Sequence, residues 1–239
     1  MGATTPDVRE EHACVLVPGM LCTERFWSTS IERLGASTTV RTVVVDAPTI
    51  DSMVDQVLGL PYRRISLVGH SLGGIVALAA TIRAPERIER LGLLGTSARP
   101  PRDEQHRGWE DMARRAREGG FRDITASDLL PVLLADAHQT PELRSIVIDM
   151  ADGIGPDAFT RQLAAQHSRI DLRPHLARIS RPTLVIAGEE DALAPVEAHE
   201  ELAGGIADAR LEVLPGVGHL ASLEDPDRVA GLVEAWVGR

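Results

Sequence analysis

Residues Ile65 to Ala80 constrain this chain more than any others. An apolar run, Ile65-Ser66-Leu67-Val68, passes through Gly69-His70-Ser71-Leu72-Gly73 straight into the helix-forming run Gly74-Ile75-Val76-Ala77-Leu78-Ala79-Ala80. A strand that turns into a helix so abruptly leaves no room for large side chains two before and two after the turning residue, and glycine stands at both places. The turning residue is a serine, so its hydroxyl stands exposed at the carboxyl edge of a sheet on a strained backbone, as in a nucleophile elbow. A hydroxyl of ordinary pKa is a poor nucleophile. The motif therefore demands a histidine to take the proton and a carboxylate to orient that histidine.

Around this motif, short apolar runs alternate with amphipathic stretches. Cys14 to Val17, Val40 to Val45, Ile65 to Val68, Leu91 to Leu94, Thr183 to Ala187 and Leu211 to Leu214 read as six buried strands. Helical patterns at Glu24 to Leu34, Ile50 to Leu58, Leu72 to Ala84, Pro195 to Ala203 and Pro226 to Val237 separate them. Continuous apolar strands joined by helices predict an α/β fold: a mostly parallel sheet of about six strands, covered by helices on both faces. One interval breaks the alternation. From Ser97 to about Leu172 only helical patterns occur, near Asp103 to Glu118, Ser127 to Ala137, Pro141 to Ala151 and Pro156 to Ser168. Residues 98–171 are therefore expected to form a helical lid inserted into a core made of residues 1–97 and 172–239, with Pro100-Pro101 and Arg173-Pro174 as stiff junctions.

Composition narrows the chemistry. The chain has 239 residues, and its 25 basic residues are all arginine, since lysine and asparagine are absent. Without lysine there is no Schiff base and no phosphate loop of the lysine type; without asparagine there is no Cys-His-Asn triad. The formal charge of -10 argues against a nucleic-acid surface. No apolar run reaches the length of a membrane span, and Met1 to His12 is polar, so a cytoplasmic protein with no membrane partner is expected. Cys14 and Cys22 are read as free thiols, with no zinc-ligand spacing. Neither a metal nor a cofactor is expected.

Among the eight histidines, His219 has the best position for the base, because Pro215-Gly216-Val217-Gly218 leaves the last strand and can bring it back over the strand ends. His70 is expected to pack or hydrogen-bond inside the elbow, His106, His138 and His167 to be solvated on lid helices, and His12 to precede the first strand, while His175 and His199 read equally well as surface residues. For the carboxylate, Asp191 follows the strand Thr183 to Ala187. Glu189 and Glu190 read as loop charges and Asp46 as a capping residue. The alternative acid position, after the strand that follows the elbow helix, is Leu94-Gly95-Thr96-Ser97 and holds no carboxylate. The order Ser71, Asp191, His219 is that of an elbow triad. The oxyanion donors are expected to be the backbone N–H groups of Leu72, at the helix start, and Met20, in the loop after the first strand.

These motifs resemble the α/β-hydrolase superfamily over nearly the whole chain. The matching segments are Leu16-Val17-Pro18-Gly19-Met20-Leu21-Cys22 with Trp27 after it, Gly69-His70-Ser71-Leu72-Gly73-Gly74, Ala84-Pro85-Glu86-Arg87-Ile88, Gly188-Glu189-Glu190-Asp191, and Gly218-His219 followed by Glu224-Asp225-Pro226. The chain is similar to the small lidded branch of carboxylesterases, enol-lactonases, short-chain thioesterases and carbon–carbon bond hydrolases. The resemblance implies Ser71 as nucleophile, His219 as base, Asp191 as its acid, and Met20 and Leu72 as oxyanion donors. Two segments depart from the family: Pro18-Gly19 stands where most relatives have His-Gly, and Asp46-Ala47-Pro48 is shorter than their Gly-rich loop. The expected activity is hydrolysis of a carboxylic ester, lactone or thioester of a small acyl substrate, carrier- or coenzyme-A-linked substrates included. The alternative is a non-hydrolytic lyase, cyclase or ligand receptor using the same pocket. Leu21, Trp109, Met112, Leu133, Leu134 and Ile146 are the candidates for an apolar pocket wall, and packing within the lid is the competing use of the lid residues among them. Arg114, Arg115 and Arg117, beside Glu110, Asp111 and Glu118, read as solvated helix surface.

Overall fold

The computed structural model describes residues 10–238, so the polar segment Met1 to His12 lies outside the described residues as far as residue 9. Among the described residues six strands, β1 (Glu10–Val17), β2 (Val40–Thr42), β3 (Tyr62–His70), β4 (Ile88–Leu94), β5 (Thr183–Gly188) and β6 (Ala209–Leu214), form one sheet. Their order is β2-β1-β3-β4-β5-β6 and every neighbouring pair is parallel. The chain steps to one side from β1 and to the other from β3. The loops leaving those two strands therefore part at one point of the carboxyl edge, where open α/β sheets bind ligands.

Among the described residues ten α-helices accompany the sheet: α1 (Ser28–Leu34), α2 (Ile50–Leu58), α3 (Leu72–Arg83), α4 (Asp103–Arg115), α5 (Phe121–Asp123), α6 (Leu130–Leu133), α7 (Pro141–His167), α8 (Val196–Gly205), α9 (Ala221–Glu224) and α10 (Pro226–Val237). Side chains of a strand alternate between faces. Ala13, Val15 and Val17 of β1 enter the core shared with α2, α3 and α8, whereas Cys14 and Leu16 enter the one shared with α1 and α10. Burying each of the larger aliphatic side chains contributes about 1.5–3 kcal/mol, which is why both faces must be covered. Cys14 and Cys22 are free, and burial pushes both thiols up to about 12.

The edges differ from the sequence reading for physical reasons. β1 begins at Glu10, so His12 lies in the strand, its Nε2 2.9 Å from Ser66 Oγ. The run Val40 to Val45 stays in the sheet only to Thr42, because β2 is an edge strand with one neighbour. Beyond it the chain peels away, Val45 remaining buried and Val44 exposed. Glu24 to Leu34 is a short 3-10 turn, Glu24–Trp27, followed by α1.

Helices α4 to α7 fill the interval between β4 and β5, and the Leu172 N–H bonds the Ala98 carbonyl at 2.9 Å, so this insert leaves and rejoins the core at one point. The last two helical patterns of the insert, Pro141 to Ala151 and Pro156 to Ser168, form α7, which is interrupted at Gly155 (φ 76°) just before Pro156. Among the described residues no helix is long and apolar enough to cross a membrane.

Candidate active site

Ser71 joins β3 to α3 with φ 52° and ψ -117°. A non-glycine residue there stores about 1–3 kcal/mol of backbone strain and persists only when its surroundings over-determine it. Here they do: the Ser71 N–H donates to the Leu94 carbonyl at 2.9 Å, and the Thr96 hydroxyl donates to the Ser71 carbonyl at 2.8 Å. A Cβ on Gly69 would lie 2.2 Å from the Gly73 carbonyl oxygen, and one on Gly73 would lie 2.2 Å from the Val17 carbonyl oxygen. The second contact shows that the end of β1 crosses directly beneath the turn.

His219 arrives from the loop after β6, with Nε2 3.0 Å from Ser71 Oγ. Its Nδ1 lies 2.8 Å from Asp191 Oδ2 and 3.0 Å from Oδ1. A carboxylate can only accept, so Nδ1 carries the proton and donates to Asp191, leaving Nε2 to accept from the serine hydroxyl. Asp191 Oδ1 also accepts from the Leu193 and Ala194 N–H groups, each at 2.9 Å. Burial pushes this carboxyl up, but His219 and the two amides outweigh burial and hold it below the usual carboxylate range. The three side chains named from sequence thus form one hydrogen-bonded chain.

Two further groups hold His219, and the sequence reading gave neither this role. Glu224 has a side chain with 0% exposure, and its oxygens accept from the N–H groups on both sides of the histidine, Gly218 at 2.8 Å and Leu220 at 3.0 Å. It also accepts from the Ala135 N–H at 3.0 Å and from His138 Nδ1 at 3.0 Å, which ties the insert to the histidine loop. His70 stacks on Phe26, ring centroids 4.2 Å apart, and its Nε2–H donates to the His219 carbonyl at 3.0 Å. Burial above all, with His219 alongside, keeps the His70 imidazole neutral far below its usual titration range.

Other histidines depart from expectation. His199 is fully buried rather than at the surface, accepting from the Thr96 N–H at 3.1 Å and donating to the Pro195 carbonyl at 3.2 Å. His106 and His167 are half-buried and bond each other through Nδ1 at 2.7 Å, with Trp109 edge-on to both, and His138 is half-buried against Glu224. The arginines of α4 do sit among acids, Arg114 with Asp111 and Glu118, and Arg115 with Asp128. Asp46 pairs with Arg161, whose hydrogen bond holds its carboxyl below the usual range.

Leu72 is the first residue of α3, and its N–H is one of the four that a helix cannot satisfy internally. Met20 sits in a four-residue turn, Gly19 to Cys22, closed by the Cys22 N–H on the Gly19 carbonyl at 3.2 Å. The turn runs against the serine: a Cβ on Gly19 would lie 3.0 Å from Ser71 Cβ. Its third residue, Leu21, has φ 61°, the sign a type II turn requires and a position usually given to glycine. Gln162, buried on α7, accepts from the Leu21 N–H at 3.1 Å and donates to the Val45 carbonyl at 3.1 Å. Nothing in the helical periodicity around Gln162 marks it.

Of the candidate wall residues, Leu21, Trp109, Met112 and Leu133 pack into one apolar cluster with Met20, Phe121, Phe159 and Leu163. Leu134 and Ile146 pack elsewhere, with Cys22, Phe26, Val147 and Met150 against the α1 and α10 face. Among the described residues no group of three His, Cys, Asp or Glu side chains is placed to hold a metal ion.

Comparison with known proteins agrees with this architecture. Residues 37–226 match the family model described as the alpha/beta hydrolase fold. The chain is 32% identical over 194 residues to a 2-hydroxymuconate semialdehyde hydrolase of Pseudomonas sp. (strain CF600), a match covering 77% of this chain. The chain spans 62–68% of the length of most of the curated relatives it matches, 66% in this case. A thermophilic esterase from Thermogutta terrifontis superposes with a TM-score of 0.86 at 28% identity, over 96% of this chain and 90% of that one. The enol-lactonase from Burkholderia xenovorans LB400 gives 0.87 at 25% identity, over 98% and 94%.

Proposed function

We propose that this chain, which belongs to the α/β-hydrolase fold family, is a serine hydrolase cleaving carboxylic esters, lactones or thioesters of small apolar acyl groups through an acyl-enzyme on Ser71. The observation that carries this reading is the unbroken chain from Ser71 Oγ through His219 to the buried Asp191 carboxylate, ending on a serine at φ 52°. In the reaction His219 Nε2 takes the hydroxyl proton as Ser71 Oγ attacks the acyl carbon. Asp191 stabilises the resulting imidazolium and keeps the ring oriented. The N–H groups of Met20 and Leu72 receive the developing oxyanion, each worth about 3 kcal/mol of barrier in a water-poor site. His219 then passes the proton to the leaving oxygen or sulfur, and water repeats the sequence to release the acid.

The helices of residues 98–171 act as the lid, and the apolar cluster that joins Trp109, Met112 and Leu133 to Met20 and Leu21 supports an apolar acyl group in the pocket. Esters, lactones and acyl thioesters of graded chain length, assayed with the wild-type protein and Ser71→Ala, test the reading. Ser71→Ala is expected to fold and to lose about 10⁴-fold or more in kcat. A fluorophosphonate is expected to label Ser71. Labelling without turnover of any of these substrates favours the non-hydrolytic alternative, and unchanged turnover in Ser71→Ala refutes the mechanism.

A further inference from the structure

His70 precedes Ser71 in the elbow, and its Nε2–H donates to the His219 carbonyl at 3.0 Å. The ring is held on two sides: it stacks on Phe26, and a Cβ on Gly19 would lie 2.7 Å from its Nδ1. Nδ1 has no partner among the described residues, so the bond to His219 is the one hydrogen bond this imidazole makes. Burial keeps the ring neutral, and no second cation stands beside His219 when that residue takes a proton. Among the described residues, residues 69–73 and 215–220 share two hydrogen bonds, this one and the bond from Ser71 Oγ to His219 Nε2. Asp191 and Glu224 also hold His219, but neither ties it to the elbow. The serine bond exists only while Ser71 keeps its proton. In an acyl-enzyme Oγ is an ester oxygen and donates nothing. His219 then loses that tie when it must turn to water, and the bond from His70 remains.

We infer that His70 is a positioning residue for deacylation, which keeps His219 in register with the acylated Ser71 while water attacks. In that step water gives a proton to His219 Nε2 and its oxygen to the acyl carbon. The bond from that carbon to Ser71 Oγ then breaks as the proton passes from Nε2 to Oγ. During acylation the serine hydroxyl itself supplies the tie, so His70 matters less there. The inference rests on the hydrolase reading above.

His70→Phe keeps a ring against Phe26 and removes the donor. With 4-nitrophenyl butyrate as the probe, kcat per active site, counted by fluorophosphonate titration, is expected to fall about tenfold to a hundredfold. KM falls with it, because a slower second step traps the acyl-enzyme, and kcat/KM, which reports acylation, changes by less than about threefold. Mass spectrometry of acid-quenched turnover samples is expected to show the butyryl adduct accumulating on Ser71. His70→Gln, whose amide reaches the same carbonyl, is expected to keep most of kcat. An unchanged kcat per titrated site, an equal loss in kcat and kcat/KM, or a His70→Gln protein as slow as His70→Phe overturns the inference. If His70→Phe does not fold, His70→Leu is judged by the same outcomes. Ser71→Ala run in parallel separates the two claims: turnover surviving there overturns the hydrolase reading, whereas its loss there together with full kcat in His70→Phe overturns only the role of His70.

Discussion

Replacing Glu224 with alanine tests how the histidine loop is held. The carboxylate is fully enclosed and accepts from Gly218, Leu220, Ala135 and His138. In the variant the Leu220 N–H keeps a second acceptor, the Leu133 carbonyl at 3.1 Å, but the Gly218 and Ala135 N–H groups lose the Glu224 oxygen that accepts from both. Two stranded amides cost about 1–3 kcal/mol each, and part of that is offset because a charge no longer has to be buried. A net loss of about 2–4 kcal/mol follows, or about 4–16 °C in melting temperature for a chain of this size. Glu224→Gln keeps an oxygen but turns an NH₂ toward N–H donors, so it should fall between alanine and wild type. Thermal and urea unfolding followed by circular dichroism give the stability, and ester turnover below the melting range gives the effect on His219. A Glu224→Ala protein melting within about 2 °C of wild type would show that these bonds do not hold the loop.

The remaining predictions concern pH and strain. His70 and His199 are both kept neutral by burial, below the ordinary value of 6.5. The unfolded chain binds those protons near 6.5 and the folded one refuses them, so stability falls as pH drops below about 6.5. Asp191, held below its ordinary value, adds stability above the carboxylate range and loses it only in stronger acid. Melting temperature is therefore expected to decline between pH 7 and pH 5, less steeply in His199→Gln, and a flat profile contradicts the buried neutral state. Ser71→Gly is expected to be more stable than Ser71→Ala by about 1 kcal/mol, because glycine relieves the positive φ. Paired melts decide this, and an alanine variant as stable as the glycine one means the turn is unstrained.

What could be read from sequence follows from how local each signal is. The β3 to α3 turn, the Asp191 loop and the His219 loop each carry small residues or chemistry within a few positions, so their meeting was legible from strand order. The edge of β2 was not, because a continuous apolar run does not show how many neighbours a strand has. The two patterns at Pro141 to Ala151 and Pro156 to Ser168 were legible because Gly155-Pro156 breaks the helix between them. Gln162 bonds only partners more than 80 residues away and Glu224 bonds such partners as well as near ones, and a polar residue on an amphipathic helix looks the same whether it faces water or a distant backbone. The burial of His199 was hidden for the same reason.

The break in α7 at Gly155 divides the insert into parts with different freedom to change. The arm after it is fastened to the core by Gln162, by the Arg161 pair with Asp46 and by Ser168 Oγ, which accepts the Ile50 N–H. One of these bonds, from the Leu21 N–H to Gln162, joins that arm to the turn that carries Met20. Trp109 and Met112 reach the same apolar cluster from α4 by packing. On the proposed reading, substitutions along α4 are expected to change the apolar cluster and leave the Gly19–Cys22 turn in place. Selection for new substrates should accumulate substitutions there and spare residues 156–168.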